Sequence, residues 1–209
     1  MKNISDFSKG CEFFEKNYSQ DELYKFLKSG SDMEKQLAAL QIDTVSTADE
    51  AEILMSNLTG VDGKIREAVS FRLKCFMQNE ETAKIFNRKE FYDIFLDAVI
   101  DINGNICRNI LEVMKNLKNY ENFSDYAKSA IIERSFKVLE KIKIFTYKDK
   151  KYVKNKELFK LYWYLYALSV FDFEDKTELF PLLRECAKVD EYTIQEKVEV
   201  LKRKYGINL

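Results

Sequence analysis

The chain has 209 residues, 46% of them hydrophobic and 33% charged, with 34 Lys and Arg against 35 Asp and Glu; this excludes a disordered polypeptide and gives no global pull toward nucleic acid or an anionic membrane. It contains no histidine, which excludes imidazole acid–base catalysis, Ser-His and Cys-His nucleophile pairs, and every zinc site that needs imidazole. One proline and six glycines leave so few breakers that the composition predicts helix throughout.

In chain order, the first helix is predicted over Phe7 to Tyr18, with Cys11, Phe13 and Phe14 inward, as an N-terminal cap within residues 1–20. Asp21 opens a short helix through Leu27, closed at Gly30. After Ser31-Asp32 a partner helix carries Gln36-Leu37-Ala38-Ala39-Leu40. Thr47 or Asp49 starts a helix bearing Ala51, Ile53, Leu54 and Leu58. Gly60 ends it, Asp62 caps the next, and Ile65, Ala68, Val69, Leu73 and Phe76 follow at helical spacing. The unit returns with Phe91, Ile94, Phe95, Ala98 and Val99, a turn at Asn103-Gly104, and then Ile106, Ile110, Val113, Met114 and Leu117. A shift of 41 residues carries Ile65, Val69, Leu73 and Phe76 onto Ile106, Ile110, Met114 and Leu117.

Beyond Tyr120 the period lengthens. A long helix is predicted from Ser124 to Phe145, a Lys-rich loop over residues 146–156, and an aromatic helix from Leu158 to Phe171 that is apolar nearly all round and so must be covered on several sides. A last pair spans Thr177 to Lys188 and Thr193 to Tyr205. Its Ile194-Gln195-Glu196-Lys197-Val198 echoes Ile65-Arg66-Glu67-Ala68-Val69. Recurrence of one helix–turn–helix unit predicts stacked helical hairpins rather than one closed core.

Asp62-Gly63-x-Ile65-Arg66-x-Ala68-Val69, following a short apolar helix, resembles the second-helix signature of HEAT repeats, the α-solenoid units related to armadillo repeats. In that family the turn aspartate and the helix arginine bridge neighbouring repeats. Asp62 and Arg66 match both positions. Asp32 matches the turn, but Gln36 stands in the arginine position; Asn103 and Cys107 take the two positions in the third unit, with Arg108 displaced by one, and Gln195 replaces the arginine in the last. The resemblance implies an all-α, right-handed α-solenoid of about five HEAT-like hairpins, with residues 1–209 forming one repeat domain. It implies an interaction surface rather than a reaction.

The expected function is accordingly a non-catalytic scaffold that takes a protein or peptide on its concave face. Lys64, Glu67, Phe71 and Lys74 project from the best-matched second helix away from its core and are the candidate contact surface. Arg72 is the anomaly. At about 100° per residue it falls in the middle of the apolar face, where a charge must pair with an acid on a neighbouring unit or line a ligand groove. Lys148, Lys150, Lys151 and Lys154, interleaved with Tyr147 and Tyr152, form either a solvated loop or a phosphate contact. Tyr162, Trp163, Tyr164 and Tyr166 form either core or an aromatic wall. Asp93, Asp97 and Asp101 make an acidic line read as a solvated face.

Two other classes stay open: a nucleic-acid binder or DNA glycosylase-type HEAT-repeat enzyme, which needs a basic concave face, and a bacterial immunity or antitoxin-type binder. No cofactor or metal is expected. Cys11, Cys75, Cys107 and Cys186, without C-x-x-C spacing, are expected to be buried free thiols of a reducing cytosol. Met1 to Asp6 lack the apolar core of a secretory signal, and the run Leu161 to Phe173 is too short to span a bilayer, so a cytoplasmic protein without membrane contact is expected.

Overall fold

The computed structural model describes the backbone of residues 4–144 and 151–209 and the side chains of residues 10–144 and 153–209. Among the described residues there are twelve helices and no strand. They are α1 (Ile4–Glu15), α2 (Gln20–Ser29), α3 (Asp32–Gln41), α4 (Ala48–Leu58), α5 (Gly63–Phe76), α6 (Glu80–Phe86), α7 (Lys89–Ala98), α8 (Gly104–Leu117), α9 (Glu121–Ile144), α10 (Lys151–Leu168), α11 (Leu179–Cys186) and α12 (Tyr192–Tyr205).

Local chemistry sets where the early helices begin. Ser19, Ser31 and Thr47 each accept from the backbone three residues on, while Glu22, Glu34 and Glu50 reach back to the capping residue. Each such reciprocal box satisfies N–H groups that a helix start leaves orphaned. Asp62 takes the N–H groups of Lys64 and Ile65 at 2.8 and 3.0 Å, and Asn103 takes that of Asn105 at 2.9 Å. Gly30 closes α2 where a Cβ would stand 2.7 Å from the carbonyl oxygen of Phe26, so the tight α2–α3 turn needs glycine. Gly206 ends α12 in the left-handed region, at φ 63°.

The helices pack in a regular order. α2, α4, α7, α9 and α11 touch in succession, and so do α3, α5, α8, α10 and α12. Each member of the first row also packs on the helix that follows it in the second: α2 on α3, α4 on α5, α7 on α8, α9 on α10 and α11 on α12. α1 rests on α3 and α6 on α4. The eight residues related by the 41-residue shift are all buried. Each such side chain removed from water contributes about 1.5–3 kcal/mol. α10 meets α8, α9 and α12, which accounts for its apolar surface on several sides.

Several expectations need correction. α1 ends at Glu15, not Tyr18. Phe13 alone turns inward, against Tyr18 and Phe26 at ring distances of 4.7 and 5.2 Å. Phe14, one residue and about 100° further round the helix, is exposed, as is Cys11. Cys75 is half-buried, whereas Cys107 and Cys186 are buried as expected. α6 is an additional short helix, capped by Asn79, whose side chain accepts from Glu81 and Thr82. The loop expected over residues 146–156 is helical from Lys151 onward, because α10 begins there; residues 145–150 lie outside the described residues.

Polar ties cross the seams between hairpins. Arg66 reaches from α5 to Asp101, before α8, with Nε–Oδ2 at 2.8 Å, and donates through Nη1 to the carbonyls of Gly60 and Val61 at 2.8 and 2.7 Å. The same position keeps part of this task in two of the units without arginine, while Gln36 makes no such bond among the described residues. Cys107 Sγ donates to the carbonyl of Asp101 at 3.0 Å, and Gln195 Nε2 to that of Val189 at 3.3 Å. In all three cases the acceptor lies six residues upstream, in the turn within the hairpin.

Candidate functional site

α3, α5, α8 and α10 lie side by side, and a groove of about 790 Å³ runs across them. All four residues expected to form a contact surface, Lys64, Glu67, Phe71 and Lys74, line it. They share one side of α5 because they recur at three- and four-residue spacing, while Ile65, Val69, Leu73 and Phe76 bury the other side. The opposite wall is Asn105, Arg108, Asn109 and Glu112 of α8. Ala68 and Leu111 form buried floor, and Leu40 and Tyr166 close the ends.

Several polar groups of the groove are held by hydrogen bonds or ion pairs. Glu67 accepts from Asn103 Nδ2 on one carboxylate oxygen, at 2.8 Å, and from Asn105 Nδ2 on the other, at 2.6 Å. Asn105 in turn accepts from Arg108 Nη2 at 2.6 Å. Asn109 donates to Ser70 at 3.0 Å, so the α5–α8 seam is hydrogen-bonded along the groove. Glu112 pairs with Lys115 at 2.6 Å. Phe71 is 42% exposed, with Lys74 Nζ lying 4.8 Å from its ring centroid.

Beyond Tyr166 the aromatic residues of α10 divide by direction. Tyr164 is buried, and that burial raises its pKa above the ordinary phenol value, against the pull of the Arg134 charge on α9. Trp163 is buried, and its indole N–H has no hydrogen-bond partner among the described residues. Its ring stacks on Tyr166 with centroids 5.8 Å apart and planes 9° apart. Lys197 of α12 sits over Tyr166 and Tyr162, 4.2 and 5.1 Å from their centroids. Tyr164 and Trp163 thus belong to the core, while Tyr166 lines the groove.

Arg72 stands apart from the groove lining. The acid expected to pair with it is missing among the described residues, and its Nε is buried without a hydrogen-bond partner. Its guanidinium carbon lies 5.9 Å from the Phe71 centroid, so its nearby companion is a ring rather than a carboxylate. Lys148 and Lys150, and the side chain of Lys151, lie outside the described residues. Lys154 is half-buried on α10. Neighbouring lysines are committed to acids: Lys143 to Glu185 at 2.7 Å and Lys160 to Glu157 at 2.7 Å.

The acidic line on and after α7 is not merely solvated. Arg134 grips Asp93 and Asp97 at 2.6 Å each, Tyr126 donates to Asp93 at 2.7 Å, and Asp101 holds Arg66. Asp93 and Asp97 face the next hairpin and Asp101 the preceding one, which periodicity within one helix does not reveal. A second network missed by sequence reasoning joins Asn87, Tyr92 and Asn122: Tyr92 donates to Asn87 and Asn122 donates to Tyr92, both at 2.7 Å. The buried thiols of Cys107 and Cys186 are pushed up to about 12 by desolvation, which keeps them protonated and unreactive.

Among the described residues no group of three or more acidic or cysteine side chains is placed to hold a metal ion, and no helix is long and apolar enough to cross a membrane. No protein-family model matches the chain, and no curated protein does.

Proposed function

We propose that the protein is a non-catalytic binding scaffold, a right-handed α-solenoid of about five HEAT-like hairpins that takes a protein or peptide segment on the face formed by α3, α5, α8 and α10. The ordered contacts of the two helix rows support the stacked architecture, and the bridge from Arg66 to Asp101 supports the repeat-like role of that position. The observation that carries the function is the groove itself. It has a half-exposed phenylalanine, buried apolar floor and hydrogen-bonded polar walls on adjoining helices, the mixture that marks a peptide-binding surface.

The test is site-specific photocrosslinking in the source cell. A benzophenone side chain replaces Lys64 in the groove or, in a second strain, Glu140 on α9. Discrete protein adducts from position 64, absent from position 140 and reduced by Phe71→Ala, are the expected result. Adducts arising only from position 140 would overturn the assignment of this face.

A further inference from the structure

Resting on that reading, we infer that the groove is built for one kind of occupant: a peptide segment that combines carboxylates with apolar side chains. The wall cations are the reason. Lys64, Lys74 and Arg108 all line the groove, and none of the three has an acid within ion-pair distance among the described residues. Lys197, just past Tyr166, likewise rests on rings rather than on a carboxylate.

The wall acids are in the opposite condition. Both oxygens of Glu67 are occupied by asparagine amides, and Glu112 is neutralised by Lys115. The three wall cations thus lack a carboxylate partner among the described residues, while each wall acid already carries a hydrogen bond or an ion pair. Arg108 spends one nitrogen on Asn105, which fixes the guanidinium while leaving other N–H groups for a bidentate carboxylate. Phe71, Leu111 and Leu40 line the same groove and offer apolar contact to side chains flanking the acids. Charge complementarity and the apolar strip together specify an acidic–apolar segment.

Three fluorescein-labelled peptides of equal length test this on the full chain: repeats of Asp-Leu-Asp-Phe, of Ser-Leu-Ser-Phe and of Lys-Leu-Lys-Phe. Fluorescence anisotropy is expected to rank the acidic peptide roughly tenfold tighter than the serine peptide, the sum of a few exposed ion pairs, with affinity falling as salt rises. The lysine peptide is expected to bind weakest. Arg108→Glu, with an unchanged thermal midpoint, is expected to erase the acidic preference and improve the lysine peptide. Equal binding of the three, preference for the lysine peptide, or no binding by any of them overturns the inference. So does tighter binding of a single-stranded oligodeoxynucleotide than of the acidic peptide. Crosslinks from position 64 would survive each of these peptide results, so failure here is distinguishable from failure of the scaffold assignment.

Discussion

Removing the Arg66 side chain is the sharpest probe of how the hairpins are joined. The guanidinium and its acid are 17% and 12% exposed, so solvent weakens the pair only in part. Arg66→Ala loses the 2.8 Å contact to Asp101 and two bonds to turn carbonyls, and leaves the Asp101 carboxylate, among the described residues, with only the backbone N–H of Asn103, at 2.8 Å. Charge-assisted bonds contribute about 1.5–3 kcal/mol each when buried, and water replaces part of that here. The net loss is expected to be about 2–3 kcal/mol. For a chain of this size that lowers the melting midpoint by about 5–10 °C. Asp101→Asn keeps the bond from Asn103 and is expected to cost about half as much. The double variant should show a coupling of about 1–2 kcal/mol between the two sites. Urea unfolding followed by far-ultraviolet circular dichroism measures all three. A loss under about 0.5 kcal/mol for Arg66→Ala, or strict additivity in the double variant, would refute the claim that this pair joins adjacent hairpins.

Three other outcomes are expected. Arg134→Ala, which releases Asp93 and Asp97 together, should cost about 1–2 kcal/mol; Arg134→Lys should recover only part of it, because one ammonium cannot reproduce the planar fork. In native protein a thiol reagent should modify Cys11 at once and Cys75 more slowly, with Cys107 and Cys186 reacting only on unfolding; prompt reaction of all four would contradict the burial. Glu185, bonded to Lys143 and Lys188, is held at about 2 against an ordinary 4.5. A carboxylate with a depressed pKa gives stability that is present above pH 4.5 and lost as pH falls toward 2. The acid limb of the stability profile should therefore be flatter for Glu185→Gln than for the parent across that window.

Within-helix periodicity was enough to find the hairpins, because apolar spacing records which face each helix buries. It found the side of α5 that carries Lys64, Glu67, Phe71 and Lys74 for the same reason. It could not find Asn105, Arg108, Asn109 and Glu112 opposite them, since which helices stand side by side depends on packing between units. The partner of the acidic line was hidden on the same ground: Asp93 and Asp97 are exposed, as expected, but also find Arg134 some forty residues downstream. The starts of α2, α3 and α4 are, by contrast, written openly as Ser-x-x-Glu and Thr-x-x-Glu. Position 66 gives the subtler lesson. Cysteine and glutamine look like departures from an arginine pattern, yet at 107 and 195 each still supplies a donor to the turn carbonyl six residues back.

The contact order of the helices also has a mechanical meaning. Since each hairpin leans mainly on those before and after it, tension applied at the two chain ends would be carried in series. Under load the molecule should yield in steps, peeling from its extremities, and the joint pinned by Arg66 should be among the last to part. A protein anchored through such a face would act as a spring with graded compliance rather than as a brittle clasp.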